Sequence, residues 1–170
     1  MTVPTLVVAL DLVHKSDHVV DTAMDLAQKL DARVCLVHAM ALASGVRKDT
    51  LLSVPGRDAT TAAELLEADA RKHIQPLIDQ LEGEGIPTQL VLGYDDPCEL
   101  IGATAREQWA LMVLVGAPKA GRLGRFWGKD LTTAILGCCN VPVLLVPRGK
   151  ATAGDAYSTA QFQLLAETDG

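Results

Sequence analysis

Residues 116–129 form the segment of this chain whose residue types are best suited to chemistry. Four of them are glycines, which let a backbone approach a ligand closely. An apolar run precedes the segment and a run with helical periodicity follows it, and free N–H groups at the start of a helix favour an anion. No acid interrupts its cations, which are Lys119, Arg122, Arg125 and Lys129. The composition indicates a phosphate site, and the alternative is a surface loop whose cations only keep it soluble.

Five short apolar runs indicate the fold that positions this segment. They are rich in β-branched residues and nearly continuous, which is typical of parallel strands buried on both faces. Stripes of apolar residues at helical spacing fill the intervals between them. We therefore predict a single α/β domain with an open, doubly wound, Rossmann-like parallel sheet. The predicted strands are residues 5–10, 33–40, 88–92, 111–115 and 141–146.

The order of these elements brings two candidate binding groups to one edge of the sheet. Ligands of doubly wound sheets bind beyond the carboxyl ends of the strands, where the strand order reverses. The glycine-rich segment leaves the fourth strand at that edge, which favours the phosphate interpretation. Asp11 follows the first strand, where its carboxylate could accept hydrogen bonds from an adenine amino group or a ribose hydroxyl. The alternative is that Asp11 caps the next helix.

Two common phosphate motifs and one catalytic motif do not match the chain. The P-loop needs a glycine at Leu123 and Ser or Thr at Asp130. The dinucleotide fingerprint needs a glycine-rich turn after the first strand, and residues 11–14 contain no glycine. No GxSxG nucleophile elbow is present. His38, on the second predicted strand, fits a satisfied core histidine better than a catalytic one.

Capping and breaking residues predict where the helices begin and where they are disturbed. Ser16 or Asp17 can cap the first helix, and Asp96 followed by Pro97 opens the third. Pro76 is expected to kink or split the second helix. Residues 41–57 form a long connection after the second strand, which suits a lid, a binding loop or a disordered segment.

Charge and composition exclude several classes of protein. The net charge of −6 argues against general binding of nucleic acid, whose phosphates would be repelled. We find no apolar run long enough for a bilayer and no signal peptide, so we expect a cytoplasmic protein without a membrane partner. The cysteines have no CxxC or zinc spacing, and we expect reduced, inert thiols. They are Cys35, Cys98, Cys138 and Cys139.

Five stretches, in their order and spacing, resemble the universal stress protein family. The resemblance covers residues 6–147, and it implies a parallel sheet of strand order 3-2-1-4-5. It also implies a homodimer in which the last strands, residues 141–146, pair across a two-fold axis. We expect the family domain at residues 1–148 and a flexible or partner-docked tail at 149–170. The matching stretches are residues 6–11, 34–39, 93–97, 113–116 and 141–147.

Members of that family that bind ATP carry a spaced glycine pattern that ends in Ser or Thr. Gly116 matches its first glycine, and Lys119 stands where the second belongs. Gly128 comes one residue early for the third, and Lys129 replaces the hydroxyl residue. The pattern is degenerate, although Gly121 and the added cations keep the segment fit for phosphate.

The resemblance also implies which residues would hold the nucleotide. Asp11 and the backbone at Ala9 and Ala39 would hold adenine and ribose. The phosphates would be bound by the glycine-rich segment. Its contributing residues would be Gly116, Lys119, Gly121, Gly128 and Lys129.

We therefore predict a regulatory or protective protein that works through binding rather than catalysis. Its expected ligand is ATP or another adenine nucleotide, with or without Mg²⁺, and its protein partner is unknown. A first alternative is a nucleotide-free dimeric interaction module of the same family. A second is an enzyme, either a slow ATPase or a relative of nucleotide hydrolases that share the fold, and Asp130 is the only acid beside the glycine-rich segment.

Overall fold

The computed structural model describes residues 3–12, 16–53, 59–117 and 129–147, and of residues 129–132 only the backbone. These ranges contain seven strands and four helices, which alternate except for the succession of β2, β3 and β4. None of the helices described combines the length and the apolar character that crossing a bilayer requires. The elements are β1 (Thr5–Ala9), α1 (Asp17–Leu30), β2 (Arg33–Ala39), β3 (Leu51–Leu52), β4 (Thr60–Thr61), α2 (Ala62–Gly83), β5 (Thr88–Gly93), α3 (Pro97–Glu107), β6 (Ala110–Gly116), α4 (Lys129–Cys138) and β7 (Val143–Val146).

Five parallel strands form one sheet in the order β5-β2-β1-β6-β7. Since β3 and β4 pair separately, this order is the predicted 3-2-1-4-5, and the predicted doubly wound α/β fold is confirmed. The central strand, β1, pairs with β2 on one side and β6 on the other, so that Ala9 lies opposite both Val37 and Val115. The chain builds outward from β1 to β2 and β5, then returns to β6 on the other side. The strand order therefore reverses between β1 and β6.

Alternate residues of the strands face two separate hydrophobic cores. On β1, Leu6 and Val8 pack in one core with residues of α1 and α2. Val7 points to the opposite face and packs in the second core with Ile101 of α3 and Ile135 of α4. All three β1 side chains are fully buried. This two-sided burial explains why the strands read as nearly continuous apolar runs.

The last strand is shorter than predicted because of Pro142. Strand β7 begins at Val143, whereas the sequence predicted residues 141–146. Proline has no N–H to donate to a sheet ladder. Its carbonyl still accepts a hydrogen bond of 2.9 Å from the N–H of Val113, so Pro142 lies beside β6 without being part of the strand.

The beginnings of α2 and α3 are fixed by side-chain caps. In α2, Thr61 Oγ1 accepts from the N–H of Glu64 at 3.2 Å, and Glu64 Oε2 accepts from the N–H of Thr61 at 2.9 Å. The hydrogen bond from the Thr61 N–H, followed by those from the hydroxyls of Thr61 and Thr60, lowers the pKa of Glu64. The contribution of these bonds to stability is present at neutral pH and is lost as acid protonates Glu64. In α3, Asp96 accepts from the N–H of Cys98 at 2.9 Å, which confirms the predicted start at Asp96.

Pro76 does not split α2, although splitting was one of the two outcomes predicted. The helix runs over 22 residues from Ala62 to Gly83 with Pro76 inside it. Ile74 and Leu81, on either side of the proline, are fully buried in the first core. A proline inside a helix costs about 3 kcal/mol, and burial of a large aliphatic side chain contributes about 1.5–3 kcal/mol. Packing on both sides of Pro76 therefore offsets the loss.

The connection after β2 is ordered over residues 41–53, where the sequence left a lid, a binding loop or disorder open. Leu51 and Leu52 of β3 pair antiparallel with β4. Tyr94 donates from its hydroxyl to the carbonyl of Ala63 at 3.0 Å, and Lys48 Nζ lies 4.4 Å from the centre of the Tyr94 ring. The contact of Lys48 holds the connection to the turn after β5, and the hydrogen bond of Tyr94 joins that turn to the start of α2. Residues 54–58 and the predicted tail at 149–170 lie outside the described residues.

The buried position of Ile74 gives a direct test of the packing of α2. Replacing Ile74 with Ala should lower the free energy of unfolding by about 2–5 kcal/mol, since it leaves a cavity in the core. Urea unfolding followed by circular dichroism measures this change. The exposed neighbour Lys72 provides the control, because Lys72→Ala should change the same quantity by less than about 0.5 kcal/mol. Equal losses in the two variants would contradict the packing described.

Candidate functional site

In a doubly wound sheet the ligand crevice is expected at the carboxyl edge, at the point where the strand order reverses, which is here between β1 and β6. Ala9 ends β1 and Gly116 ends β6, with Ala9 paired to the residue before Gly116. Ala39 ends β2, next to β1, and is paired with Gly93 of β5. The structure thus places Ala9, Ala39 and Gly116 at the ends of three adjacent strands, with Asp11 just beyond the first. This edge is the expected ligand position in a doubly wound sheet.

The backbone around Asp11 is fixed by two side chains from other elements. Asp11 donates from its N–H to Ser16 Oγ at 2.9 Å, and Ser16 Oγ lies 3.1 Å from the carbonyl oxygen of Asp11, to which it donates. His38 Nδ1 lies 3.1 Å from the carbonyl oxygen of Leu10. A carbonyl can only accept, so Nδ1 carries the proton in this contact. The half-buried Asp11 is therefore held in a defined place at the reversal of strand order.

The role of Ser16 differs from the predicted one. Ser16 occupies the N-cap position of α1, yet its side chain makes no capping hydrogen bond. It is 93 % buried and serves the turn between β1 and α1 instead, because its hydroxyl is already engaged with Asp11. The alternative prediction, Asp17, is the first residue of α1 and not its cap.

The first turn of α1 packs against the end of β6. A Cβ atom added to Gly116 would lie 3.3 Å from Cγ2 of Val19 and 3.4 Å from Nε2 of His18. The first distance is tighter than most Cβ contacts and the second is at the edge of ordinary van der Waals contact, so a side chain here would have to push Val19 by a few tenths of an ångström. Gly116 thus brings a helix N-terminus to the crevice, and such a terminus attracts an anion.

The remaining predicted residues belong to the glycine-rich segment, most of which lies outside the described residues. Lys119, Gly121 and Gly128 fall in that part of the chain, and their proposed contacts with phosphate stay predictions. Lys129 is the first residue of α4, one position before the predicted helix start, and its backbone alone is described. The segment therefore does lead directly into a helix, as predicted.

Three residues with a positioning role were not identified as such from the sequence. Ser16 was considered only as a cap, and His38 only as a core histidine. The structure confirms that His38 has a hydrogen-bond partner. This partner is the carbonyl of Leu10, so His38 also helps to fix the backbone just before Asp11. Lys48 lies over Tyr94, just after the carboxyl end of β5, and its cation was not singled out because only the folded chain brings the two residues together.

The described side chains offer no preformed metal site. No group of three His, Cys, Asp or Glu residues within the described ranges is arranged to hold a metal ion. Binding of Mg²⁺ together with ATP stays a prediction.

The contact between Gly116 and α1 predicts opposite effects for two glycine substitutions. Gly116→Ala should lower the free energy of unfolding by about 1 kcal/mol, because the new methyl group presses on Val19. Gly83→Ala should raise it by about 0.4–1 kcal/mol, since no atom lies within 4 Å of the added methyl group and alanine restricts the unfolded chain. Urea unfolding of both variants measures the difference. A gain in stability for Gly116→Ala would contradict the close approach of α1.

Comparison with known proteins adds a family and a set of similar structures. The chain matches the universal stress protein family over residues 3–147. A comparison with curated proteins found no match.

Several solved structures share the fold at low sequence identity. A universal stress family protein from Burkholderia pseudomallei is 21% identical with a TM-score of 0.57, over 84% of this chain and 95% of its own. A universal stress protein from Archaeoglobus fulgidus in complex with dAMP is 22% identical with a TM-score of 0.56, over 86% and 99%. Another universal stress protein, in complex with cAMP, is 18% identical with a TM-score of 0.56, over 88% and 100%.

The family match spans most of the chain, and the observed strand order is the one that the resemblance to this family implies. The chain belongs to the universal stress protein family.

Proposed function

We propose that this universal stress protein binds an adenine nucleotide in the crevice between β1 and β6 and acts as a cytoplasmic regulatory or protective homodimer. Its work is done by binding rather than by catalysis. Two solved structures with the same fold are complexes with dAMP and with cAMP, which supports this ligand class. The observation that carries the proposal is the fixed position of Asp11 at the reversal of strand order, held by Ser16.

The residues of the crevice suit the two ends of a nucleotide differently. The carboxylate of Asp11 can accept hydrogen bonds from the ribose hydroxyls or the adenine amino group, while it would repel phosphate. The backbone at Ala9 and Ala39 ends the two neighbouring strands and can pair with the edge of the base. The base and sugar therefore belong on the β1–β2 side of the crevice.

The phosphates belong on the β6 side. Gly116 and the start of α1 provide a backbone without a side chain and a helix N-terminus. We assign the rest of the phosphate contacts to Lys119, Gly121, Gly128 and Lys129, whose charges and glycines suit an anion. In ATP, Mg²⁺ would neutralise part of the phosphate charge and so reduce the number of cations that the protein must provide.

Binding of this kind gives a simple regulatory mechanism. A nucleotide that contacts both Asp11 and the glycine-rich segment would fix the segment relative to the sheet. The surface that the protein offers to a partner protein would then depend on nucleotide occupancy. Such a switch requires a nucleotide with different affinities for the two arrangements of the segment.

Replacement of Asp11 tests the proposed ligand. Nucleotide at 100 times its Kd should stabilise the folded protein by about 2.7 kcal/mol and raise Tm by about 5–10 °C. Asp11→Asn should weaken binding by roughly 10- to 100-fold, because hydrogen bonds to a charged acceptor contribute about 1.5–3 kcal/mol. Scanning fluorimetry with ATP, AMP and cAMP, with and without Mg²⁺, measures the shift.

The matched control is Asp25→Asn, which removes the same charge from an exposed position on α1. It should bind nucleotide as the unaltered protein does. If none of the nucleotides at millimolar concentration changes Tm, and the purified protein releases none on denaturation, the nucleotide-binding function is wrong.

The second candidate function is a nucleotide-free dimeric interaction module. The edge strand β7 favours a dimer whether or not the protein binds nucleotide. Strand β7 is the last strand of the sheet, and its Leu144 and Leu145 are 38% and 39% exposed. A flat apolar edge strand readily pairs with another copy of itself. We propose that two protomers join through β7. This candidate predicts a stable dimer with no absorbance from bound nucleotide.

A charge on the edge strand tests the dimer independently of the ligand. Leu144→Lys should convert a dimer into a monomer, since lysine on an edge strand opposes strand pairing. Leu51→Lys, at a position that is 69% exposed on β3, is the control and should remain dimeric. Sedimentation equilibrium gives the mass of each variant. A monomeric unaltered protein, or a dimeric Leu144→Lys variant, would exclude the β7 interface.

A further inference from the structure

Three of the four cysteines meet where α3 begins and α4 ends. Cys98 is the second residue of α3, and Cys138 is the last residue of α4, followed directly by Cys139. Cys138 Sγ donates to the carbonyl oxygen of Cys98 at 3.0 Å. Cys138 Sγ also lies 3.4 Å from the carbonyl oxygen of Ile135. After burial, the neighbouring Cys138 is the next cause of the raised pKa of both Cys98 and Cys139. Cys138 is therefore a direct neighbour of both Cys98 and Cys139.

The contact between the two helices holds these thiols in place. A Cβ atom added to Gly102 of α3 would lie 2.8 Å from the carbonyl oxygen of Cys138, a distance that only glycine permits. Ile135, one turn before Cys138, is fully buried in the same core as Cys98. The end of α4 thus rests directly on α3, and Cys138 cannot move far from Cys98.

A groove gives small molecules access to this pair. It has a volume of about 650 Å³, and Cys98, Cys138, Gly102 and Arg106 are among its lining residues. Cys98 is 9% exposed, and Cys138 is half-buried. Burial first, and then neighbouring groups, raise the pKa of Cys98 to about 11. This thiol therefore stays protonated at neutral pH and is protected from indiscriminate reaction.

We propose that Cys98 and Cys138 are a reversible oxidation site that closes an intramolecular disulfide by exchange with a small disulfide such as oxidised glutathione. The thiolate of Cys138 attacks one sulfur of the small disulfide, forms a mixed disulfide and releases one small thiolate. Cys98, after losing its proton to solvent, attacks Cys138 Sγ, and the second small thiolate leaves. The protein loses two electrons and two protons, and the small disulfide is reduced to two thiols.

The disulfide would join the start of α3 to the end of α4. Its partners are 40 residues apart in the chain, so the bond closes a long loop that includes β6 and the glycine-rich segment. Closing a loop of this length restricts the unfolded chain. The oxidised protein should therefore unfold at a higher temperature than the reduced protein. This effect does not require bound nucleotide.

Mass spectrometry of the full chain tests the proposal. The reduced protein is incubated with oxidised glutathione at mildly alkaline pH, quenched with acid, and digested with trypsin without reduction. We expect the intact mass to fall by two hydrogen atoms, and peptides 73–106 and 130–148 to be linked between Cys98 and Cys138. Dithiothreitol should restore the original mass and lower Tm to the reduced value.

Variants of each cysteine provide the controls. Cys98→Ala and Cys138→Ala should not form the internal bond, whereas Cys139→Ala and Cys35→Ala should form it as the unaltered protein does. Cys35 suits this purpose because it is buried on β2 and its pKa depends on burial and Arg33 rather than on the other thiols. A bond between Cys138 and Cys139, a glutathione adduct that never closes, or an unchanged mass would each overturn the proposal.

Discussion

The parallel pairing of β1 between β2 and β6 is the constraint on which the rest of this structure depends. It places the carboxyl ends of β1, β2 and β6 side by side at one edge of the sheet, where the strand order reverses. Asp11 and Gly116 are 105 positions apart in the chain and meet at this edge only because β1 and β6 are neighbours. The buried faces of β1 supply much of the stability that holds this arrangement. The crevice is therefore a consequence of strand order before any side chain is considered.

Much of the fold could be predicted from the sequence because the relevant signals are local. Five apolar runs marked the five strands of the sheet, and the pair Asp96 and Pro97 marked the start of α3. The strand order came from the family resemblance, since apolar runs alone do not specify neighbours. The sequence left open whether Pro76 would kink or split α2, because the continuity of this helix depends on the burial of Ile74 and Leu81 against other elements. The small β3–β4 sheet was missed because two-residue strands leave no periodic pattern.

The candidate site was predicted less completely, for a physical reason. The sequence showed that Asp11 and Gly116 follow the first and fourth predicted strands, and it showed that their chemistry suits a ligand. The contacts that fix them were not visible in the sequence, since Ser16 turns away from its expected capping role and His38 reaches across to the neighbouring strand. The cysteines show the same limit, because Cys98 and Cys138 have no recognisable spacing and become neighbours through the packing of α3 on α4. Contacts between distant residues require the fold to be known first.

The engagement of Ser16 with Asp11 has a consequence for the helix that follows. A helix whose N-cap side chain is used elsewhere satisfies the amides of its first turn in another way, and here the N–H of Val19 donates to the backbone carbonyl of Ser16 at 2.9 Å. An anion bound beside Gly116 would interact with the positive end of the dipole of this helix. Occupancy of the crevice and the integrity of the first turn of α1 would then be coupled, so that amide hydrogens there exchange with solvent more slowly once a ligand is bound. The rate of amide exchange in the first turn of α1 would then indicate whether a ligand occupies the crevice.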